Sequence, residues 1–61
     1  MKVFDATYFF RDGSLVELTG VVKHKRNWKF IRIDMHDENT NFYPVKDIAE
    51  IRSGPIYDME D

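Results

Sequence analysis

Hydrophobic and polar positions alternate with a period of two along most of the chain, the spacing that sends neighbouring side chains to opposite faces of a strand. Residues 2–10 (KVFDATYFF) put Phe4, Ala6, Tyr8 and Phe10 on one face. Aromatic and β-branched residues of this kind suit a pleated, half-buried surface. Arg11-Asp12-Gly13-Ser14 follows, and Asp-Gly between apolar runs predicts a hairpin turn because glycine tolerates positive φ. Residues 14–25 (SLVELTGVVKHK) form a second strand, with Val16, Leu18, Gly20 and Val22 on one side and Glu17, Thr19, Val21 and Lys23 on the other. A glycine in mid-strand marks a bulge or bend, so Gly20 points to a sheet that curls.

Lys25-Arg26-Asn27 predicts the next turn, and residues 28–35 (WKFIRIDM) the third strand. There Ile31, Ile33 and Met35 face one way, and Trp28, Phe30, Arg32 and Asp34 the other. Residues 36–41 are polar loop, Phe42-Tyr43 opens a short fourth strand, and Pro44 stops it or confines it to an edge. Lys46-Asp47-Ile48 reads as one helical turn before a fifth strand, Ala49 to Arg52. A helix over 45–52 fits the spacing of Val45, Ile48, Ala49 and Arg52, but its shortness favours the turn. The expected fold is all-β: a small, five-stranded, antiparallel and strongly bent barrel, with strands in chain order and one helical turn before the last. Residues 1–53 make the single domain and residues 54–61 a flexible acidic tail. Val16, Leu18, Val22, Ile31 and Ile33 are the expected core.

From Asp12 to Ile51, about two thirds of the chain, the order of elements resembles the small barrels of the Sm-like and Src-homology-3-like type. The residues that carry this resemblance are Asp12-Gly13, the mid-strand Gly20, the alternating isoleucines and the run Tyr43-Pro44-Val45-Lys46-Asp47-Ile48. It implies a bent second strand and a one-turn helix before the last strand. The Sm-like RNA signature sets an aspartate before an asparagine near the second hairpin, whereas Lys25 and Arg26 precede Asn27 here. The resemblance therefore implies the barrel rather than that RNA site.

Length changes the picture next. A 61-residue chain buries only about 60% of the surface that its unfolded form exposes. There is no cysteine, so disulfides and thiolate zinc sites are excluded as supplements to a small core. Assembly with copies of itself or with a partner is the remaining supplement, and a homo-oligomer is expected. Aromatic residues make up 15% of the chain, a composition that folds. No apolar run approaches the roughly 20 residues that a membrane helix needs. Met1 to Asp5 lacks a secretion-signal core. A cytoplasmic location is expected.

Candidate chemistry is sparse. Ser14 and Ser53 lie in turn sequence, where their backbone hydrogen bonds explain them. No phosphate loop is present, and so small a barrel leaves little room for an active-site pocket, so no enzymatic activity is expected. His24, His36, Asp34, Asp37 and Glu38 supply ligand types without an established metal spacing, so neither metal nor cofactor is expected. The net charge is −2, yet five of the nine basic residues (Lys23, Lys25, Arg26, Lys29, Arg32) fall within ten positions. Lys23, Lys25, Arg26, Trp28, Phe30 and Arg32 are therefore the candidate partner-binding residues. Cations beside aromatics hold phosphates and stack bases, and they also favour protein interfaces. Three readings follow: a second small core or self-association, a protein partner, or a nucleic acid. The expected function is a non-enzymatic binding or assembly module for protein, with nucleic-acid binding through hairpin 23–32 as the alternative.

Overall fold

The computed structural model describes residues 1–60. Its strands are β1 (Lys2–Phe10), β2 (Leu15–Arg26), β3 (Phe30–Met35), β4 (Thr40–Pro44), β5 (Ile48–Ser53) and β6 (Tyr57–Asp58). A single 3-10 turn, Val45–Asp47, separates β4 from β5, so the continuous helix over 45–52 does not form. The strands are antiparallel and ordered β4-β3-β2-β1-β5, with β6 pairing the start of β1. The sheet curls into a half-barrel that stays open between β4 and β5, the small bent all-β fold that the alternation predicts. Strand order departs from chain order at one point, since β5 lies against β1 and not against β4. The 3-10 turn makes that passage, and three hydrogen bonds hold it. Arg11 donates from its backbone N–H to Asp47 O and from Nε to Lys46 O, and Val45 N–H donates to Lys29 O. No helix among the described residues is long and apolar enough to cross a membrane.

The Asp-Gly hairpin forms as its sequence dictates. Gly13 has φ 92°, its N–H donates to Phe10 O, and Phe10 N–H donates to Ser14 O. This is the three-residue hairpin loop that closes on a left-handed residue. Asp12 Oδ1 accepts from both the backbone N–H (2.9 Å) and the Oγ (2.6 Å) of Ser14. Those bonds hold the Asp12 carboxyl below its usual range.

Gly20 bends β2, as expected of a mid-strand glycine, and the bend reverses which valine is buried. Leu18 pairs with Ala6 and Val21 with Phe4, so β2 carries one extra residue at Thr19–Gly20. A second irregularity against β3 falls between Val21 and Lys23. Each extra residue inverts the in–out alternation. Val21 is consequently fully buried and Val22 is 38% exposed, which corrects the assignment of Val22 to the core. Gly20 has φ 73°, and a Cβ there would collide with the His36 ring and sit 3.1 Å from Met59 Cε. Both conformation and space require glycine.

The core comprises Ala6, Tyr8, Val21, Ile31 and Ile33, with Phe4, Phe10, Leu18, Met35, Tyr43, Ile48 and Ile51 packed around it. Tyr8 is completely buried. Its hydroxyl bonds His24 Nε2 at 2.8 Å, which removes the cost of an unpaired polar atom in the interior. Part of the segment read as an acidic tail lies along β1. Tyr57 and Asp58 pair with Val3 and Lys2, Tyr57 Oη donates to Asp5 Oδ1 at 2.7 Å, and Lys2 Nζ meets Asp58 at 3.2 Å.

The reversed alternation is directly measurable. Val21→Ala is expected to cost roughly 1.5–3 kcal/mol of unfolding free energy, while Val22→Ala stays within about 0.5 kcal/mol. Urea unfolding of the two variants checks this, and equal losses would contradict the bulge. Gly13→Ala and Gly20→Ala both force a left-handed alanine at about 1–2 kcal/mol. Only the second also collides with His36, so it must be the more destabilising of the two.

Candidate functional site

Residues that pair directly across an antiparallel ladder share a face, so the register defines the outer surface of β2, β3 and β4. Lys25, Arg32 and Phe42 form one row across the three strands, and Lys23, Asp34 and Thr40 form the next. Phe30, opposite Pro44, continues the face toward the hairpin tip. Arg32 and Asp34, two apart on β3, point the same way and pair, with Nη2 3.2 Å from Oδ2 and Nε 3.1 Å from Oδ1. Arg32 Nε is shielded from solvent and its approach to the carboxylate is off-line for a hydrogen bond, so charge rather than hydrogen-bond geometry holds that contact.

Trp28 departs from the sequence expectation. It stands outside the third strand, in the turn between β2 and β3, with 83% of its surface exposed. Asn27 is the cause. Its Oδ1 accepts from Lys29 N–H and Phe30 N–H at 2.8 Å each, and its own N–H donates to Phe30 O. Such an Asx turn closes the ladder at Arg26–Ile31 and leaves Trp28 and Lys29 at the tip. Lys29 Nζ lies 4.9 Å from the centre of the Trp28 ring, within range of a cation–π contact. Neither Trp28 nor Phe30 (45% exposed) fills a second core beneath β1.

Two shallow hollows meet at Phe30. One, of about 350 Å³, is lined by Lys25, Arg26, Asn27, Phe30, Arg32 and Phe42. The other, of about 600 Å³, is lined by Trp28, Lys29, Phe30, Pro44 and Lys46. No carboxylate lines either one. Arg26, at the strand end, also borders the open mouth of the barrel with Ile31, Ile48 and Glu50. The structure thus gathers Lys25, Arg26, Phe30 and Arg32 around one hollow, sets Lys23 in the adjoining row, and places Trp28 over the neighbouring hollow. Sequence reasoning missed Phe42, which is 61% exposed, and Lys46. The signal for Phe42 was present: in Asn41-Phe42-Tyr43 the alternation turns Tyr43 inward against Tyr8 and Phe10 and Phe42 outward.

The titratable groups considered as metal ligands are drawn apart. His24 faces the interior, its ring edge-on to Phe4 at 5.3 Å and to Tyr8 at 5.7 Å. His36 covers Gly20, and the Asp37 carboxylate is occupied by Asn39 N–H and Nδ2. Among the described residues, no three His, Asp or Glu side chains come together.

Fold and surface together define a small, open β-barrel that displays a cationic and aromatic face. No family model, no curated protein and no solved structure matches this chain. Its functional reading therefore rests on that face.

Burial lowers the pKa of His24, and the sign of its effect follows. The folded chain takes up a proton less readily than the unfolded one, whose histidine titrates near 6.5. This contribution to stability is complete above about pH 6.5 and declines as the pH falls toward the lowered folded value. Tyr8 behaves in the opposite range: burial first, then the charge of Tyr43, push it up to about 12. Its contribution is complete below about pH 10 and is lost as the pH rises toward the folded value. His24→Gln should flatten the fall in urea midpoint between about pH 7.5 and pH 5.5. An unchanged slope would remove His24 as its source.

Proposed function

We propose that this chain is a non-catalytic, cytoplasmic binding module that holds an anionic macromolecular partner on the outer face of β2, β3 and β4. One observation carries the reading: two adjoining hollows share Phe30, and both are lined by aromatics and cations without a carboxylate. Large exposed aromatic groups on a small soluble domain mark interaction surfaces. The bent β2, the 3-10 turn before β5 and the pairing of β1 with both β2 and β5 support a barrel of the Sm-like or Src-homology-3-like plan as its scaffold. A protein partner was the sequence expectation because the whole chain is acidic, but the face itself has the opposite sign.

Retention on a sulfated polysaccharide column tests this reading with a polyanion that has no aromatic groups. The wild type should be retained at low ionic strength and elute as salt screens the charges. Lys25→Glu with Arg26→Glu should abolish retention. Lys2→Glu with Arg52→Glu, which changes net charge equally at residues away from the face, should leave most of it. Equal loss in both variants would defeat the assignment.

Self-association is a second reading, supported by the outer edges of β4 and β5, which among the described residues pair with no further strand. Unpaired edges are templates for strand addition. Sedimentation over a tenfold range of concentration should show a dimer or larger ring. A strictly monomeric species at high micromolar concentration would refute it.

A further inference from the structure

We infer that the partner held on this face is a single-stranded nucleic acid, its bases resting on Trp28, Phe30 and Phe42 and its phosphates on the surrounding lysines and arginines. The inference rests on the reading above and supplies the chemistry of the partner.

Charge alone leaves an acidic peptide and a nucleic acid strand equal, so the aromatic residues decide. Trp28, Phe42 and Phe30 are 83%, 61% and 45% exposed, and none belongs to the core cluster. An acidic peptide segment rich enough in charge to match the cations offers few flat apolar groups to cover three rings. A nucleic acid strand offers both at once, since each base has a π-face and each link a phosphate. The face alternates in the same way. Phe42 shares a row with Arg32 and Lys25. Phe30 lies two residues before Arg32 on β3, diagonal to Phe42 and about 7–8 Å from it in the geometry of a paired sheet. That leaves room for a separate base on each ring. Trp28 extends the line to the hairpin tip, with Lys29 against its ring and Lys46 lining the same hollow.

Charge placement agrees. Among the described residues Lys23, Lys25, Arg26, Lys29 and Lys46 form no ion pair within 4.0 Å. The one carboxylate on the two rows, Asp34, is engaged by Arg32, which leaves it little repulsion to exert on a phosphate. The net charge of −2 arises from acids elsewhere, in the Asp12 turn, the Asp37–Glu38 turn, β5 and the C-terminal residues. Only single strands fit, because a duplex hides its base faces in its own stack, out of reach of rings on the outside of a curled sheet.

Trp28 is the sole tryptophan, so its emission reports directly on the site. The full chain is titrated with 12-mer oligo(dT) and oligo(U), with a mixed-sequence duplex, and with polyglutamate. Saturable quenching of Trp28 by either single strand is expected, with affinity falling on a log–log salt plot at about −0.7 per phosphate contact. Phe42→Ala, at an exposed position, should weaken that binding roughly 5- to 150-fold, as the loss of one stacked base would. Its thermal transition verifies that it folds. Unchanged affinity in Phe42→Ala, or binding of the duplex as tight as that of the single strands, overturns the inference. Saturable binding of polyglutamate without the oligonucleotides makes the partner an acidic protein segment, which overturns the inference and leaves the anionic-partner reading standing. Absence of binding to every polyanion, the polysaccharide included, overturns both.

Discussion

The left-handed backbone at Gly20 is the constraint on which the rest of this structure depends. β2 is the one long strand that pairs with both β1 and β3, so a bend in it sets the curvature of the whole sheet. The bend is held from three sides. Gly20 N–H donates to Asp5 Oδ1 at 3.2 Å, Gly20 O accepts from His36 N–H at 2.9 Å, and the His36 ring and Met59 occupy the space that a Cβ would fill. Asp5 also accepts from Tyr57 Oη, and its backbone oxygen accepts from Gly54 N–H. One carboxylate therefore ties the bulge to the C-terminal segment. In a chain with no disulfide, this small polar junction does the work of a staple, positioning four separate segments for the loss of few degrees of freedom.

The bulges also bear on which side chains reach the outer face. Had β2 kept a strict alternation from Leu18 onward, Val22 and His24 would share a side with Val16, and Val21 and Lys23 would share the other. The extra residue at Thr19–Gly20 instead turns Val21 inward. The second irregularity then leaves both Val22 and Lys23 outside and returns His24 to the interior. The two irregularities thus cancel beyond Val22: Lys23 and Lys25 share a surface with Arg32 and Phe42, and His24 bonds Tyr8 on the inside, the sides that an unbroken alternation would also give them. The distortion that curls the barrel therefore exchanges Val21 and Val22 and leaves the outward row of cations in phase.

This logic explains what the sequence disclosed and what it withheld. Strand content, the Asp-Gly hairpin, the helical turn after Pro44 and the core positions Ile31 and Ile33 were legible because each follows from local pattern or turn chemistry. Gly20 was legible as a bulge. Its consequence for Val21 and Val22 was not, because a bulge shifts phase by an amount that only the pairing register reveals. Trp28 was misplaced for a similar reason: its aromatic character extends a strand pattern, while the side chain of Asn27 captures two backbone N–H groups and delays the start of β3 by two residues, to Phe30. The neighbouring cations Lys25 and Arg32, close in sequence, pair across β2 and β3. Local alternation turns Phe42 outward, but its place beside Arg32 follows from strand pairing, and that of Lys46 from the 3-10 turn.

The proposed recognition on the outer face is consistent with a filled interior. The interior is filled by Tyr8, Val21, Ile31 and Ile33, each nearly or wholly buried, and closing the remaining mouth would demand apolar volume that a 61-residue chain does not have to spare. The inward side chains pack against one another. Recognition by stacking and charge, as proposed above, asks only for rigid rings and cations at fixed spacing on a firm support. The sheet supplies that support at low cost: Phe30, Arg32 and Phe42 stand on paired strands whose inner faces anchor the core, so the positions that hold the fold together also fix the spacing of those that face a partner.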